Sequence, residues 1–230
     1  MRIWDINPGY LNDKSLLGEH VELHALVSIL KNNKKGYSHH PETKRWSKYH
    51  WAIKKRHQLL VSEMKLRGFN HKSPIEIDSK EKVWPKNYID TPQNQFNILS
   101  KKYEKKNSGR IPLPISAQSL WSQHKYSVMA RDVNEYKKIG NYVSKIKLDE
   151  SFEQLSLDLV DLLRMRPSEG GIRNSLQHMW GYFKNNANLE LNMNSIDSTT
   201  LIKSIGELAY RENQLYILSS TAISDLRAWM

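Results

Sequence analysis

Between Leu16 and Leu30 the apolar residues keep a helical rhythm. At 100° per residue Leu16, His20, Leu23, Val27 and Leu30 fall on one side, and Glu22 lies beside that stripe. Asn12 or Asp13 supplies the short side-chain oxygen that caps a helix start. Lys31 to Gly36 ends the helix with positive charge and a glycine suited to the left-handed C′ position. Ahead of the helix, Asn7-Pro8-Gly9-Tyr10 is a turn signal, so the first residues form an extended strap that folds back over it. A second stripe, Trp46, Tyr49, Ile53, His57, Leu60 and Met64, recurs at steps of three and four and predicts one amphipathic helix after a loop over Tyr37 to Arg45. Arg67-Gly68-Phe69 closes it, with Phe69 folding back onto the last apolar turn. Lys48, Lys54, Lys55 and Arg56 occupy its other faces. Ser73 to Pro92 is irregular chain pinned at Trp84-Pro85, and Phe96, Leu99 and Tyr103 mark a short helix.

Further on the pattern stays helical. Leu120 to Val143 reads as one helical region, and Phe152, Leu155, Leu159, Leu162 and Leu163 mark a second, stopped at Arg166-Pro167. Gly170-Gly171 precedes a third with Leu176, Met179, Trp180 and Phe183, and Thr199 to Leu218 carries a fourth. The expected fold class is all-α in two parts. Residues 1–112 form the first and 119–230 the second, joined through Ile111-Pro112-Leu113-Pro114, where proline stiffens the backbone.

Composition sharpens this division. The net charge is +11, with 22 Lys and Arg against 11 Asp and Glu up to Gln118, and 13 against 13 after it. A basic excess confined to one part is the electrostatic footprint of a polyanion binder. With a mean hydropathy of −0.67 and no apolar run near the roughly 20 residues needed to cross a bilayer, the chain reads as globular and free of membrane. Its start lacks the apolar core of a signal peptide. The absence of cysteine excludes disulfides and thiolate metal sites and makes the cytoplasm the expected location.

Two sets of motifs carry resemblances. Met1-Arg2-Ile3, Leu17-Gly18-Glu19-His20-Val21-Glu22-Leu23 and the run from Lys54 to Asn70, ending Arg67-Gly68-Phe69-Asn70, together resemble the endonuclease V type of pyrimidine-dimer DNA glycosylase first known from a bacteriophage. Trp121 to Ala130 and Gln177 to Lys184 resemble the YbgA-like helical domain of unknown function, so the partners of the second part stay open.

The first resemblance implies a chemistry. Enzymes of that type attack the damaged nucleotide with the chain's own amino terminus, form an imine and cut the strand by β-elimination, without a cofactor. An α-amine suits this because its ordinary pKa, about 7.7–8.0 against about 10.4 for lysine, leaves more of it unprotonated near neutrality. The gapless alignment puts Met1 at the nucleophile, and Arg2 is too bulky for ordinary methionine trimming, so Met1 is expected to stay. Glu22 matches the family's catalytic glutamate, although on spacing alone a glutamate on a half-exposed helix face is ordinarily solvated surface. Glu19 reads as structural. Val21 and Ala25 stand where the family places phosphate-gripping arginines, which leaves the lesion open.

Arg2, Lys14, Ser15, His20, His24, Lys31, Lys34 and Lys35 are the expected DNA contacts, and damaged double-stranded DNA, probed through a flipped nucleotide, is the expected partner. His20 and His24 also stand four apart, as metal ligands do on a helix. Their order departs from the zincin pattern and no third ligand is evident, so no metal is assigned. The rival readings are a glycosylase for another lesion and a DNA-binding module without catalysis.

Overall fold

A computed structural model describes residues 1–77, 79, 81–183 and 196–230, and these contain helices, turns and irregular chain with no strand. Asp78 and Lys80 of the irregular stretch, and Lys184 at the end of the second YbgA-like motif, lie outside the described residues. Contacts divide the chain into two compact units, Met1–Gly109 and Arg110–Met230.

In the first unit the leading helix is α1 (Asp13–Lys31), capped by Asn12, whose side chain accepts from the Ser15 N–H at 2.9 Å. Leu16, Leu23, Leu26, Val27 and Ile29 are buried, a wider face than the five-residue stripe. Each such side chain contributes roughly 1.5–3 kcal/mol by leaving water. The helix stops earlier than Gly36: Asn33 takes the left-handed turn (φ 47°) and the Lys34 N–H closes on the Ile29 carbonyl at 3.1 Å. Asparagine is the residue that, after glycine, takes that conformation at a helix end, which is why the glycine misleads.

The expected second helix is two. Pro41, read as a loop marker, opens α2 (Pro41–Trp46) at its first position, where a proline sacrifices no hydrogen bond, and the His40 ring accepts from the Glu42 N–H. After a break, α3 (His50–Leu66) packs against α1. It ends in the expected fold-back: Gly68 has φ 83°, and the Phe69 N–H reaches the Met64 carbonyl at 2.9 Å. Arg56 is the misplaced residue of that helix, being buried and not solvated. The irregular chain carries Trp84 edge-on to Trp46 and Trp51, and α4 (Pro92–Tyr103) buries Phe96, Leu99 and Tyr103.

The second unit centres on α5 (Ala117–Met129), which packs against α6 (Val133–Val143), α7 (Glu153–Arg164), α8 (Glu169–Trp180) and, after α9 (Ser198–Arg211) and α10 (Leu215–Leu218), α11 (Ala222–Asp225). Two predicted elements split. The helical region from Leu120 breaks at Ala130–Asp132, where Asp132 caps α6, and the one from Thr199 breaks at Asn213 (φ 47°), leaving Leu215 64% exposed. Gly170-Gly171 sits inside the first turn of α8, not before it. A Cβ on Gly171 would stand 2.0 Å from the Ala130 carbonyl oxygen, so close backbone approach requires glycine there. No helix among the described residues is long and apolar enough to cross a membrane.

Candidate active site at the amino terminus

Residues 2–6 are irregular chain, bent at Asp5 and Ile6, with no strand beside them, so their backbone groups need other partners. Side chains supply these. The Ile3 N–H donates to Glu42 Oε1 (3.3 Å), Trp4 to Glu19 Oε1 (3.1 Å) and Asp5 to Gln95 Oε1 (2.8 Å), while the Ile6 carbonyl accepts from Arg56 Nη1 (2.7 Å). One residue from each of α1, α2, α3 and α4 thus grips the strap. Ile3, Trp4 and Ile6 are buried beneath it.

The gripping groups are themselves tied down. Arg56 meets Glu19 with two parallel bonds of 2.7 and 2.8 Å, the fork geometry that gives a carboxylate pair its direction. Glu42 accepts from the Trp46 indole at 3.0 Å and from Arg45 at 3.2 Å. Burial pushes the Glu42 carboxyl up from its ordinary range, opposed by the Arg45 guanidinium. The same is true of Glu19, where Arg56 opposes the cost of burial.

This scaffold ends at Met1. Its side chain is 3% exposed, with Sδ accepting from the Thr43 hydroxyl at 3.6 Å, and its amine lies 3.7 Å from Glu22 Oε1. The Glu22 side chain is 38% exposed and lines a cleft of about 350 Å³ with Arg2, Trp4, Lys14, Ser15, Gly18 and Lys102. Glu22 therefore faces the amine and shares the open cleft with the cations. Such a pairing suits proton exchange between an amine and an acid beside a polyanion.

The expected contacts divide between two faces of α1. Lys14 and Ser15 line the cleft, and the Ser15 hydroxyl is buried there without a partner. Arg2 also lines it, paired with Asp90 and lying 5.0 Å over the Trp4 ring. Lys31 is exposed in the last turn of α1 and Lys34 and Lys35 just past its end, all of them about two and a half turns or more beyond Glu22, with Lys34 bonded to the Ser28 hydroxyl at 2.8 Å. His20 and His24 are displaced from the expected set. They turn from the cleft toward His57 and His71, because positions 20 and 24 share the helix face that packs on α3. The further nitrogen ligands that spacing did not supply are thus present in space.

Lys102 was missed. It lies in the last turn of α4, and its place at the cleft depends on how α4 packs, which spacing along the chain does not reveal. Desolvation, together with Lys106 and Arg2, lowers its pKa. Arg110 donates to the Leu218 and Ser220 carbonyls within the second unit.

Residues 1–77 match the family model described as pyrimidine dimer DNA glycosylase, and residues 125–224 match that of a protein of unknown function, DUF1722. The first match spans Met1, Glu22 and the four histidines, and the order of the two agrees with the motifs. Searches of curated proteins and of solved structures each returned no match.

Proposed function

Taking residues 1–77 as a segment of the pyrimidine dimer DNA glycosylase type, we propose that the chain excises damaged bases from double-stranded DNA and cuts the resulting abasic site, using Met1 as nucleophile and Glu22 as acid and base. The observation that supports this best is the 3.7 Å approach of the terminal amine to the Glu22 carboxylate at a cation-rimmed cleft.

The amine passes a proton to Glu22 and attacks C1′ of the lesion's deoxyribose. The C1′–N bond breaks, and its electron pair leaves with the base, which takes up the proton released by the now secondary amine. Glu22 then protonates the ring oxygen as the C1′–O4′ bond opens, leaving an imine between Met1 and the sugar. Loss of a C2′ proton expels the 3′ phosphate with its electron pair, and water releases the sugar from the amine. Arg2, Lys14 and Lys102 hold the flanking phosphates.

Cyclobutane pyrimidine dimers are the substrate that the family description suggests. Val21, 64% exposed where the resembling glycosylases carry arginine, favours a second reading in which the same amine chemistry serves another lesion. The expected location is the cytoplasm.

Borohydride reduction on abasic-site DNA tests the chemistry. The expected result is a covalent adduct that peptide mapping puts on residue 1. Glu22→Gln should bind the same DNA and cleave it slower by roughly 10²–10⁴, the ordinary worth of a positioned acid–base group. Wild-type cleavage by a chain carrying an uncleaved extension ahead of Met1 would remove the amine from the mechanism.

A further inference from the structure

On the opposite side of α1 from the cleft, four imidazoles meet. His20 and His24 come from α1, His57 from α3 and His71 from the chain beyond it, and one nitrogen from each lies within 4.8 Å of all the others. We propose that these four histidines bind one divalent transition-metal ion, zinc(II) in the first instance, as a closed structural site. This goes beyond the glycosylase reading and stands apart from it.

The arrangement is that of ligands around a common centre. With a zinc–nitrogen bond of about 2.0–2.1 Å and about 1.1 Å from nitrogen to ring centroid, four tetrahedral imidazoles place their centroids about 5.2 Å apart. The rings here stand 4.7 Å apart for His20–His24, 5.0 Å for His20–His57, 5.1 Å for His20–His71 and His57–His71, and 5.2 Å for His24–His57. His20 Nε2 and His57 Nε2 approach to 3.2 Å, near the about 3.4 Å between nitrogens of a tetrahedral zinc site.

A hydrogen-bonded cluster of neutral rings accounts for this less well. His20 and His57 can share one proton, but the Nε2 atoms of His24 and His71 are buried with no partner at all. Buried nitrogens are seldom left so, and a cation at the centre satisfies both. The Ser73 backbone hydrogen-bonds to His24 and His57, the kind of outer contact that orients a ligating ring and fixes its tautomer.

Imidazole donors suit zinc among the common divalent ions, and four protein ligands leave no open position for substrate. The site therefore acts as a staple. At 100° per residue Glu22 lies about 200° around α1 from His20 and about 160° from His24. The ion joins the back of α1 to α3 and to the chain at His71, while the front of the same turn presents Glu22.

The test uses the full chain, untagged and purified without metal-affinity resin. Elemental analysis should find one zinc per chain. After chelation, cobalt(II) titration should reach a 1:1 end point with the visible bands of tetrahedral coordination, and zinc should raise the melting temperature. His71→Ala and His24→Ala should each weaken zinc binding at least about 100-fold, since loss of a ligand costs no less than loss of its outer support. His71→Cys should restore 1:1 binding and add a thiolate-to-cobalt charge-transfer band, a readout that a merely structural histidine does not produce. A chain that carries no metal and shows neither a cobalt spectrum nor a melting shift overturns the proposal. So do alanine variants that bind zinc with unchanged affinity.

Discussion

The two units are built of the same element and hold themselves together differently. In the first, the groups that fix the strap are buried and polar: Glu19, Glu42, Arg56 and Gln95 are all under 5% exposed, and α1 and α3 turn polar side chains inward among their apolar ones. In the second, α6, α7 and α9 are sharply two-sided and bury mainly Leu, Ile and Val. Its prominent buried ion pair, Arg131 with Asp225 at 2.8 Å, closes helix ends: Arg131 also donates to the Leu163 and Met165 carbonyls at the end of α7. A helix that only packs can be cleanly amphipathic. One that must also grip a strap, hold a carboxylate at a cleft and gather imidazoles behind it carries mixed faces.

If the strap depends on buried charge, breaking one partner should be the most damaging change outside the reacting groups. Arg56→Met should destabilise the first unit by about 3–5 kcal/mol in denaturant unfolding, because Glu19 is left buried and unpaired. Adding Glu19→Leu should recover much of that stability, since the stranded charge is gone, but not strand cleavage, since the Trp4 N–H and the Ile6 carbonyl lose their partners. Recovery of both would mean that the polar clamp does not position Met1.

A smaller effect should separate the second unit by pH. His124 on α5 is buried, and desolvation, opposed by its bond to the Leu120 carbonyl at 2.8 Å, lowers its pKa from 6.5 to about 4. The unfolded chain then binds a proton that the folded one refuses. Stability is full above about 6.5 and is lost as pH falls toward about 4, by about 3 kcal/mol from this residue. Unfolding followed against pH should show that loss in the wild type and a flatter profile in His124→Asn.

The smallest expected effect concerns the cleft rim. Lys102→Ala should weaken DNA binding alike for different sequences and lower the slope of log K against log salt by about 0.9, the signature of one phosphate contact. An unchanged slope would take Lys102 off the phosphate path.

Much of this architecture is written in local pattern. The α1 stripe, the Asn12 cap and the Gly68 fold-back are legible because each depends on neighbours within a turn or two of helix. The same locality explains the errors: Pro41 and Gly36 are read as punctuation, whereas one opens a helix and the other lies past a helix end already made by Asn33.

By itself, then, the sequence determined the helical class, the charge that falls on one part only, and a glutamate set beside a buried stripe. Tertiary structure alone decided which polar residues go inward. Arg56 reads as surface until Glu19 arrives from 37 positions away, and the His20–His24 pair reads as two phosphate contacts until α3 and the chain after it bring His57 and His71. The cost of burying a charge or an imidazole is set by the partner that meets it, and that partner is chosen by packing between distant segments, not by spacing along one of them.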